Sequence, residues 1–205
     1  MNAFVIIYCW LRNYNERPMK NSRNAVLFIF FVFLYSMLFN KASIPAKKLV
    51  FANETFEVWK DEMADHHSLF TTASFQPGDI VCKFSASAIL DTPAHFTVQV
   101  NNSEHICLEP SFLQYTNHSC FPNILFDTTH FSIVCLRTTK PGDELCYFYP
   151  ATEWEMAQPF QCICGYSNCL GYIGGASYLS KEVIARYKFS DFIYRQLKNK
   201  YPEII

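Results

Sequence analysis

The chain has 205 residues, of which 50% are hydrophobic and 17% are aromatic, and its formal charge is −1. This length fits one medium-sized domain with extensions, and the apolar fraction is ample for a packed core. The near-neutral charge, with scattered Lys and Arg, disfavours direct nucleic-acid binding, which normally leaves a basic footprint.

The N-terminal part contains an apolar run of fifteen residues, AVLFIFFVFLYSMLF at 25–39, with basic residues on both sides. It is shorter than the roughly 20 residues that span a bilayer, and its length and basic flank fit a signal or targeting segment better. We interpret residues 1–48 as a leader that targets or anchors the protein and contacts a membrane through residues 25–39. A hydrophobic helix packed on the domain, or an artefact of gene prediction, is the alternative.

Beyond the leader, short strands and turns alternate. Asn-Asn-Ser at 101–103 and Asp-Thr-Thr-His at 127–130 each separate two apolar stretches, which predicts two hairpins. Pro-Gly-Asp turns precede two further apolar stretches, which we predict to be strands. In chain order the predicted strands are 56–59, 80–84, 96–100, 105–108, 124–126, 131–136 and 145–149. Many short strands with turns between them indicate a mainly β domain.

The C-terminal part predicts one helix. Ser180 is a natural N-cap, Glu182 lies in the first turn, and Lys198 and Lys200 lie near the end. We therefore expect a helix that begins after Ser180 and runs to about residue 200.

The nine cysteines indicate a metal site rather than a secreted disulfide framework, because their number is odd and most lie in apolar runs. We expect those outside the metal site to be buried as small hydrophobic residues. A reducing compartment (nucleus, cytoplasm or organelle stroma) is therefore expected, although the leader points to organelle targeting or membrane anchoring.

A C-x-C-x4-C triplet is formed by Cys162, Cys164 and Cys169, in a region that contains several glycines. A closed tetrahedral zinc site needs four ligands, and C-x-C spacing allows two thiolates of one tight loop to reach the same ion. Cys120 is a candidate for the fourth ligand, although spacing alone cannot connect it across more than forty residues. The alternative is a chance cluster of cysteines in a loop.

Three motifs occur in a fixed order: N-H-S-C-F-P-N at 117–123, G-D-E-L-C-Y-F-Y at 142–149, and the thiol triplet. Together they resemble the SET-domain protein lysine methyltransferases with a post-SET zinc segment, over about residues 56–179. The resemblance implies a mainly β fold, the SET-type β-clip with a pseudoknot, with few short helices, a zinc-bound post-SET loop and a C-terminal helix. It also implies that Cys120 joins the three downstream thiolates on Zn²⁺.

The predicted organisation follows from this resemblance. We expect a SET domain over residues 49–152, a post-SET zinc segment over 158–175 and a C-terminal helical tail over 176–205.

The resemblance further implies an S-adenosylmethionine-dependent protein-lysine N-methyltransferase that aligns a deprotonated lysine of a histone or non-histone protein with the cofactor methyl group. It places Tyr149 at the catalytic position and Tyr147 at a position that limits the number of methyl groups. The cofactor-binding residues that it implies are Asn117, His118, Tyr115, His66 and His67. We expect a monomer.

The sequence departs from the family pattern at the loop that cradles the cofactor. A G-x-G-L-F-A-like stretch is replaced by HHSLFT at 66–71, so both glycines are missing. Gln114 and Phe148 replace an Arg and an Asp that are common in the family. A non-catalytic SET-like, zinc-containing interaction module is therefore the alternative function. The adjacent histidines are disfavoured as a metal pair, because neighbours on a strand point to opposite faces. A metal-thiolate nucleic-acid binder is disfavoured by the charge.

Overall fold

The computed structural model describes residues 47–204. The membrane-contact prediction for residues 25–39, and the leader up to residue 46, lie outside the described residues. Between residues 47 and 204, no helix combines the length and the apolar character that a bilayer crossing requires.

Short strands dominate the described part of the chain, so the predicted mainly β fold is confirmed. In chain order the strands are β1 (Lys47–Ala52), β2 (Phe56–Asp61), β3 (His66–Thr71), β4 (Ile80–Lys83), β5 (Ser85–Leu90), β6 (Thr97–Gln99), β7 (His105–Glu109), β8 (Asn117–His118), β9 (Ile124–Asp127), β10 (Ser132–Cys135), β11 (Cys146–Tyr147), β12 (Phe160–Gln161) and β13 (Tyr172–Ile173). The two helices are α1 (Lys181–Ile184) and α2 (Asp191–Lys200).

Nine of the strands form three small three-stranded sheets with the orders β1-β2-β3, β4-β10-β9 and β5-β7-β6, and the others form the two-stranded pairs β8–β11 and β12–β13. Both predicted hairpins are confirmed, since β6 pairs with β7 and β9 pairs with β10, each antiparallel. The inner faces of the sheets enclose the main core, in which Val58, Leu69, Phe126, Ile133 and Leu145 are fully buried.

A two-residue parallel pair, β8 with β11, lies at the centre of the domain. Asn117 pairs with Cys146, and His118 pairs with Tyr147. The contact continues beyond the strands, because the N–H groups of Ser119 and Asn123 donate to carbonyl oxygens of β11, both at 3.0 Å. The two segments that carry the first two motifs therefore lie side by side.

The predicted strand at 145–149 is only two residues long in the structure. A 3-10 turn at Tyr149–Ala151 follows it, with Pro150 in the turn. Pro lacks an N–H group and fixes φ, so the chain leaves the extended conformation at this point.

The single helix predicted from Ser180 to about residue 200 is wrong in extent, because the chain forms two helices. Ser180 caps α1 as expected, with the N–H of Val183 donating to its hydroxyl at 3.4 Å. Ser190 then caps α2 in the same way through the N–H of Ile193, at 3.3 Å. The intervening chain turns inward to bury part of Tyr187, so tertiary packing overrides the local helical pattern.

Candidate active site and metal centre

Four thiols converge in the structure, as the family resemblance implies. The Sγ atoms of Cys120, Cys162, Cys164 and Cys169 all lie within 4.8 Å of one another, and those of Cys120 and Cys162 are 3.9 Å apart. Tetrahedral zinc with bonds of about 2.3 Å places its sulfur ligands roughly 3.8 Å apart, so the arrangement fits this ion. The N–H of Leu170 donates to the Cys120 sulfur at 3.4 Å, and this hydrogen bond favours the thiolate form of Cys120.

Burial makes two of these thiols, Cys120 and Cys162, poor acids on their own. It raises the pKa of Cys120 above its usual value and raises that of Cys162 to about 11. A bound divalent cation reverses this preference, because coordination deprotonates a thiol outright. Metal binding at this cluster therefore releases protons and stabilises the folded state.

His118 connects the thiol cluster to the predicted catalytic tyrosine. Its Nδ1 accepts a hydrogen bond from the N–H of Tyr149 at 3.3 Å, and its Nε2 lies 3.4 Å from the Cys120 sulfur. Because Nδ1 acts as an acceptor, Nε2 carries the proton and points it towards the sulfur. Burial lowers the pKa of His118 to about 4, so the ring is neutral at physiological pH.

Residues of the β8–β11 pair line two cavities. The polar cavity, of about 560 Å³, is lined by Asn117, His118, Glu144 and Cys146, among others. The aromatic cavity, of about 340 Å³, is lined by Thr116, Tyr147, Tyr149 and Glu153, among others. Neighbouring side chains of an extended chain point to opposite faces, which explains why Cys146 and Tyr147 line different cavities.

The polar cavity contains a fixed amide. The Asn117 Nδ2 lies 2.9 Å from the His67 carbonyl oxygen, 3.0 Å from Ser68 Oγ and 2.8 Å from Glu144 Oε1. These contacts orient the Asn117 side chain, and its Oδ1 has no hydrogen-bond partner among the residues described. An acceptor oxygen and a carboxylate thus lie together in a cavity whose volume suits a small-molecule ligand.

The thiol loop forms part of the wall of the polar cavity. Cys164 and Tyr166 line it together with Phe121. The ring of Phe121 lies 5.2 Å from that of Tyr166 and 3.7 Å below the Arg137 guanidinium carbon. A metal ion on the thiols would therefore also fix one side of this cavity.

The phenol of Tyr149 is oriented inside the aromatic cavity. Its hydroxyl donates to the Thr116 carbonyl oxygen at 3.2 Å, which leaves the phenolic oxygen free to accept a hydrogen bond. Burial raises the pKa of Tyr149 and raises that of Tyr147 well above the usual value. Both phenols therefore stay neutral and serve as hydrogen-bonding groups rather than bases.

The structure separates the predicted cofactor-binding residues into two groups. His66, Asn117 and His118 line the polar cavity. His67 and Tyr115 do not line it in the described structure; their rings stack on each other with centroids 4.6 Å apart. The main chain of His67 still contributes, because its carbonyl oxygen holds Asn117.

The missing glycines leave no backbone strain at 66–71. Among the described non-glycine residues, positive φ angles occur at Asp65, Phe96 and Phe131, outside β3. Residues with side chains therefore adopt the backbone of this segment without difficulty.

Two acidic residues were missed by sequence reasoning. Glu144 lies in the G-D-E-L-C-Y-F-Y motif at 142–149, and its place in that motif is the signal that could have identified it. Glu153 lies in a connector with no recognisable pattern, so nothing in the sequence marks it as buried. Both carboxylates line cavities.

Comparison with known proteins identifies the fold family of this chain. A family profile described as SET domain matches residues 37–150. A protein named Methyltransferase flvH, from Aspergillus flavus, is 36% identical over 146 residues, which cover 70% of this chain and 82% of the relative.

Larger enzymes match over a shorter region. Proteins named Histone-lysine N-methyltransferase, H3 lysine-36 specific, are similar in Chaetomium globosum (37% identity over 68 residues) and Schizosaccharomyces pombe (38% over 72 residues). These matches cover 30% and 32% of this chain but only 8% and 9% of the relatives.

Proposed function

The chain belongs to the SET-domain family, and we propose that it is an S-adenosylmethionine-dependent protein-lysine N-methyltransferase. The observation that supports this most is that residues of the β8–β11 pair line two cavities, with His118 in the wall of the polar cavity and Tyr149, just after β11, in the wall of the aromatic cavity. The rings of His118 and Tyr149 lie 5.3 Å apart. A donor and an acceptor bound in the two cavities would meet near these two rings.

We assign the cofactor to the polar cavity. S-adenosylmethionine supplies a methyl group that its sulfonium has already activated for displacement. Asn117 and Glu144 offer the oxygen atoms that suit the α-ammonium end, and His118 offers a neutral ring for the adenine end. His66 and Tyr166 lie at the same cavity.

We assign the lysine side chain to the aromatic cavity, where the chain can orient and desolvate it. The phenolic oxygen of Tyr149 accepts a hydrogen bond from the amine and directs the nitrogen lone pair towards the donor. Aromatic walls exclude water, which favours loss of the proton from the bound amine. The catalytic contribution of these residues is thus alignment and desolvation. Tyr147, which lies 4.7 Å from Tyr149 between ring centroids, limits the space for additional methyl groups.

Within this proposal, residues 49–152 form the SET domain, 158–175 a post-SET zinc segment and 176–205 a helical tail. Zn²⁺ on Cys120, Cys162, Cys164 and Cys169 would hold the wall of the polar cavity and the ring of His118 in place.

The non-catalytic interaction module is the competing function. The loss of the glycine pair is its main support, and the unstrained backbone of β3 weakens that support. Two of the similar fungal proteins are named as enzymes specific for lysine 36 of histone H3, so a histone H3 peptide is the first substrate to test.

Calorimetric titration with S-adenosylmethionine, followed by labelling of histone H3 and a cell lysate, tests the function. We expect micromolar cofactor binding and methyl transfer to lysine. Tyr149→Phe should bind the cofactor equally well but lose at least tenfold in rate, whereas Tyr178→Phe, at a residue that is 64% exposed, should match the wild type. Absent or millimolar cofactor binding would favour the interaction module, and equal labelling by Tyr149→Phe would contradict the role of its hydroxyl.

A further inference from the structure

A carboxylic acid lies at the aromatic cavity where no cation among the described side chains neutralises it. Glu153 follows the 3-10 turn that contains Tyr149, and only 6% of its surface is exposed. It lines the same cavity as Tyr147 and Tyr149. Burial of a carboxylate without a cation is unfavourable, so the position requires an explanation.

The two oxygens of Glu153 have different environments. Oε1 accepts hydrogen bonds from the N–H of Gln99 at 3.0 Å and from the hydroxyl of Thr152 at 3.2 Å. The Gln99 side chain in turn accepts the N–H of Trp154 at 2.9 Å, so the carboxyl group is fixed to β6. Oε2 has no hydrogen-bond partner among the residues described, which leaves it available to a ligand.

A buried ring nitrogen near Oε2 is also unused. His105 Nδ1 lies 4.0 Å from Oε2, is buried, and has no hydrogen-bond partner within the described part of the chain. His105 lies on β7, and Tyr147 and Tyr149 line the same cavity as Glu153, whose negative charge contributes to raising the pKa of both phenols. No Lys or Arg of the described chain forms an ion pair with it.

Burial raises the pKa of Glu153 to about 7 and lowers the pKa of His105. A carboxyl group with such a pKa changes protonation easily near neutral pH, as a general base requires. The neutral His105 offers a lone pair close to the protonated carboxyl group.

We propose that Glu153 is a further catalytic residue, which binds the ammonium group of the substrate in the aromatic cavity and takes up its proton before methyl transfer. The inference rests on the proposed function. In the proton-transfer step an N–H bond of the ammonium breaks and an O–H bond forms at Oε2. The electron pair stays on nitrogen, and the neutral amine then attacks the methyl carbon while the carbon–sulfur electrons move to sulfur.

Glu153→Gln tests this role with little disturbance of the fold. The amide oxygen can replace Oε1 as an acceptor, and the amide N–H can donate to the unused His105 Nδ1. Glu155→Gln is a matched control, because Glu155 lies two residues away on the same segment and is exposed.

Binding of simple probes tests ammonium recognition without knowledge of the substrate. Titrations of n-butylammonium and of 1-butanol at pH 8 can be followed by NMR shifts of Thr116 and Tyr149. We expect the wild type and Glu155→Gln to prefer the ammonium by about tenfold, as a charge-assisted hydrogen bond allows. Glu153→Gln should lose this preference; equal preference in all three proteins would overturn the proposal.

The kinetic test compares two substrates. The first is a histone H3 peptide centred on lysine 36, or a peptide from whichever protein is labelled in lysate. The second is the same peptide with thialysine in place of the target lysine. Thialysine has a less basic amine and depends less on a base. We expect Glu153→Gln to lose about 100-fold in kcat/KM on lysine and to regain about tenfold on thialysine. The kcat/KM of the wild type should decrease as the pH falls below about 7, and Glu153→Gln should not show this decrease.

The outcomes separate the two proposals. Unchanged kinetics of Glu153→Gln beside an active wild type would overturn the role of Glu153 alone. A wild type that binds the cofactor and prefers the ammonium, yet methylates no lysine, would overturn the proposed function instead.

Discussion

The ring of Phe148 lies flat against the ring of Tyr187, with centroids 3.8 Å apart and planes 7° from parallel. Phe148 is buried directly after β11, and Tyr187 belongs to the segment between α1 and α2. The hydroxyl of Tyr187 also donates to the carbonyl oxygen of Cys120 at 2.8 Å. The family's common Asp at position 148 could not form this stack, so Phe148 connects the segment between α1 and α2 to the strand pair and, through Tyr187, to the thiol cluster.

This stack provides the first prediction. Tyr187→Ala should destabilise the domain by about 2–3 kcal/mol through lost packing. Tyr187→Phe keeps the stack but loses two hydrogen bonds, the one donated to the Cys120 carbonyl oxygen and the one accepted from Asn168, so it should destabilise by about 1–2 kcal/mol. Urea denaturation measures both, with Tyr194→Ala as an exposed control. Equal effects of the Ala and Phe variants would assign the stabilisation to the hydrogen bonds rather than to stacking.

The thiol cluster predicts one zinc ion per chain. Cys162→Ser should reduce the metal content well below one equivalent and lower the free energy of unfolding by about 3–5 kcal/mol, because binding energy at such a site is folding energy. Chelation should abolish activity together with stability, since the thiol loop lines the polar cavity. Elemental analysis and thermal unfolding measure these effects, and Cys107→Ser should keep its metal. A fully stable, metal-free wild type would contradict the site.

The raised pKa of Glu153 predicts how stability depends on pH. The folded state holds the proton up to about pH 7, whereas the unfolded chain releases it near the usual value of 4.5. Between these values the folded state binds more protons, so Glu153 makes stability fall as pH rises from about 4.5 to about 7.

The Glu153→Gln substitution should remove this decrease in stability between pH 4.5 and about pH 7. Its unfolding free energy should equal that of the wild type near pH 4.5 and exceed it by up to about 3 kcal/mol above pH 7. Denaturation of both proteins across this pH range provides the measurement. A variant that is less stable at every pH would indicate that the carboxylate has a purely structural role.

The position of Tyr147 predicts how many methyl groups the product carries. It is buried, and its ring centroid lies 4.6 Å from that of Phe126 and 4.7 Å from that of Tyr149. We expect the wild type to add mainly one or two methyl groups, and Tyr147→Phe to increase trimethylation by removing the hydroxyl or the water that it holds. Mass spectrometry of the product measures the distribution, with Tyr172→Phe as an exposed control. Dominant trimethyl-lysine from the unmodified protein would be contrary to this assignment.

Local patterns in the sequence were sufficient to predict the hairpins. The β6–β7 and β9–β10 pairs each join neighbouring stretches through a polar turn, so the information lies within a few residues. Convergence of Cys120 with the downstream thiols was predicted only through the family resemblance, because no local rule fixes a contact across more than forty residues.

Other features depend on packing that no local pattern records. The break between α1 and α2 places Tyr187 against Phe148, which outweighs the helical preference of the segment. Burial of Glu153 depends on Gln99, which lies 54 residues earlier in the chain. The assignment of Tyr115 and His67 to the cofactor remains a prediction, which their stacking outside the polar cavity does not settle.

The alternation of Cys146 and Tyr147 between two cavities also bears on how such enzymes diversify. Under the proposed assignment of the acceptor to the aromatic cavity and the methyl donor to the polar cavity, substitutions at Tyr147 can reshape the acceptor site while Cys146, on the other face of β11, keeps its contact with the donor site. A lineage with this architecture would then be able to exchange the molecule that it modifies without re-evolving recognition of its methyl source.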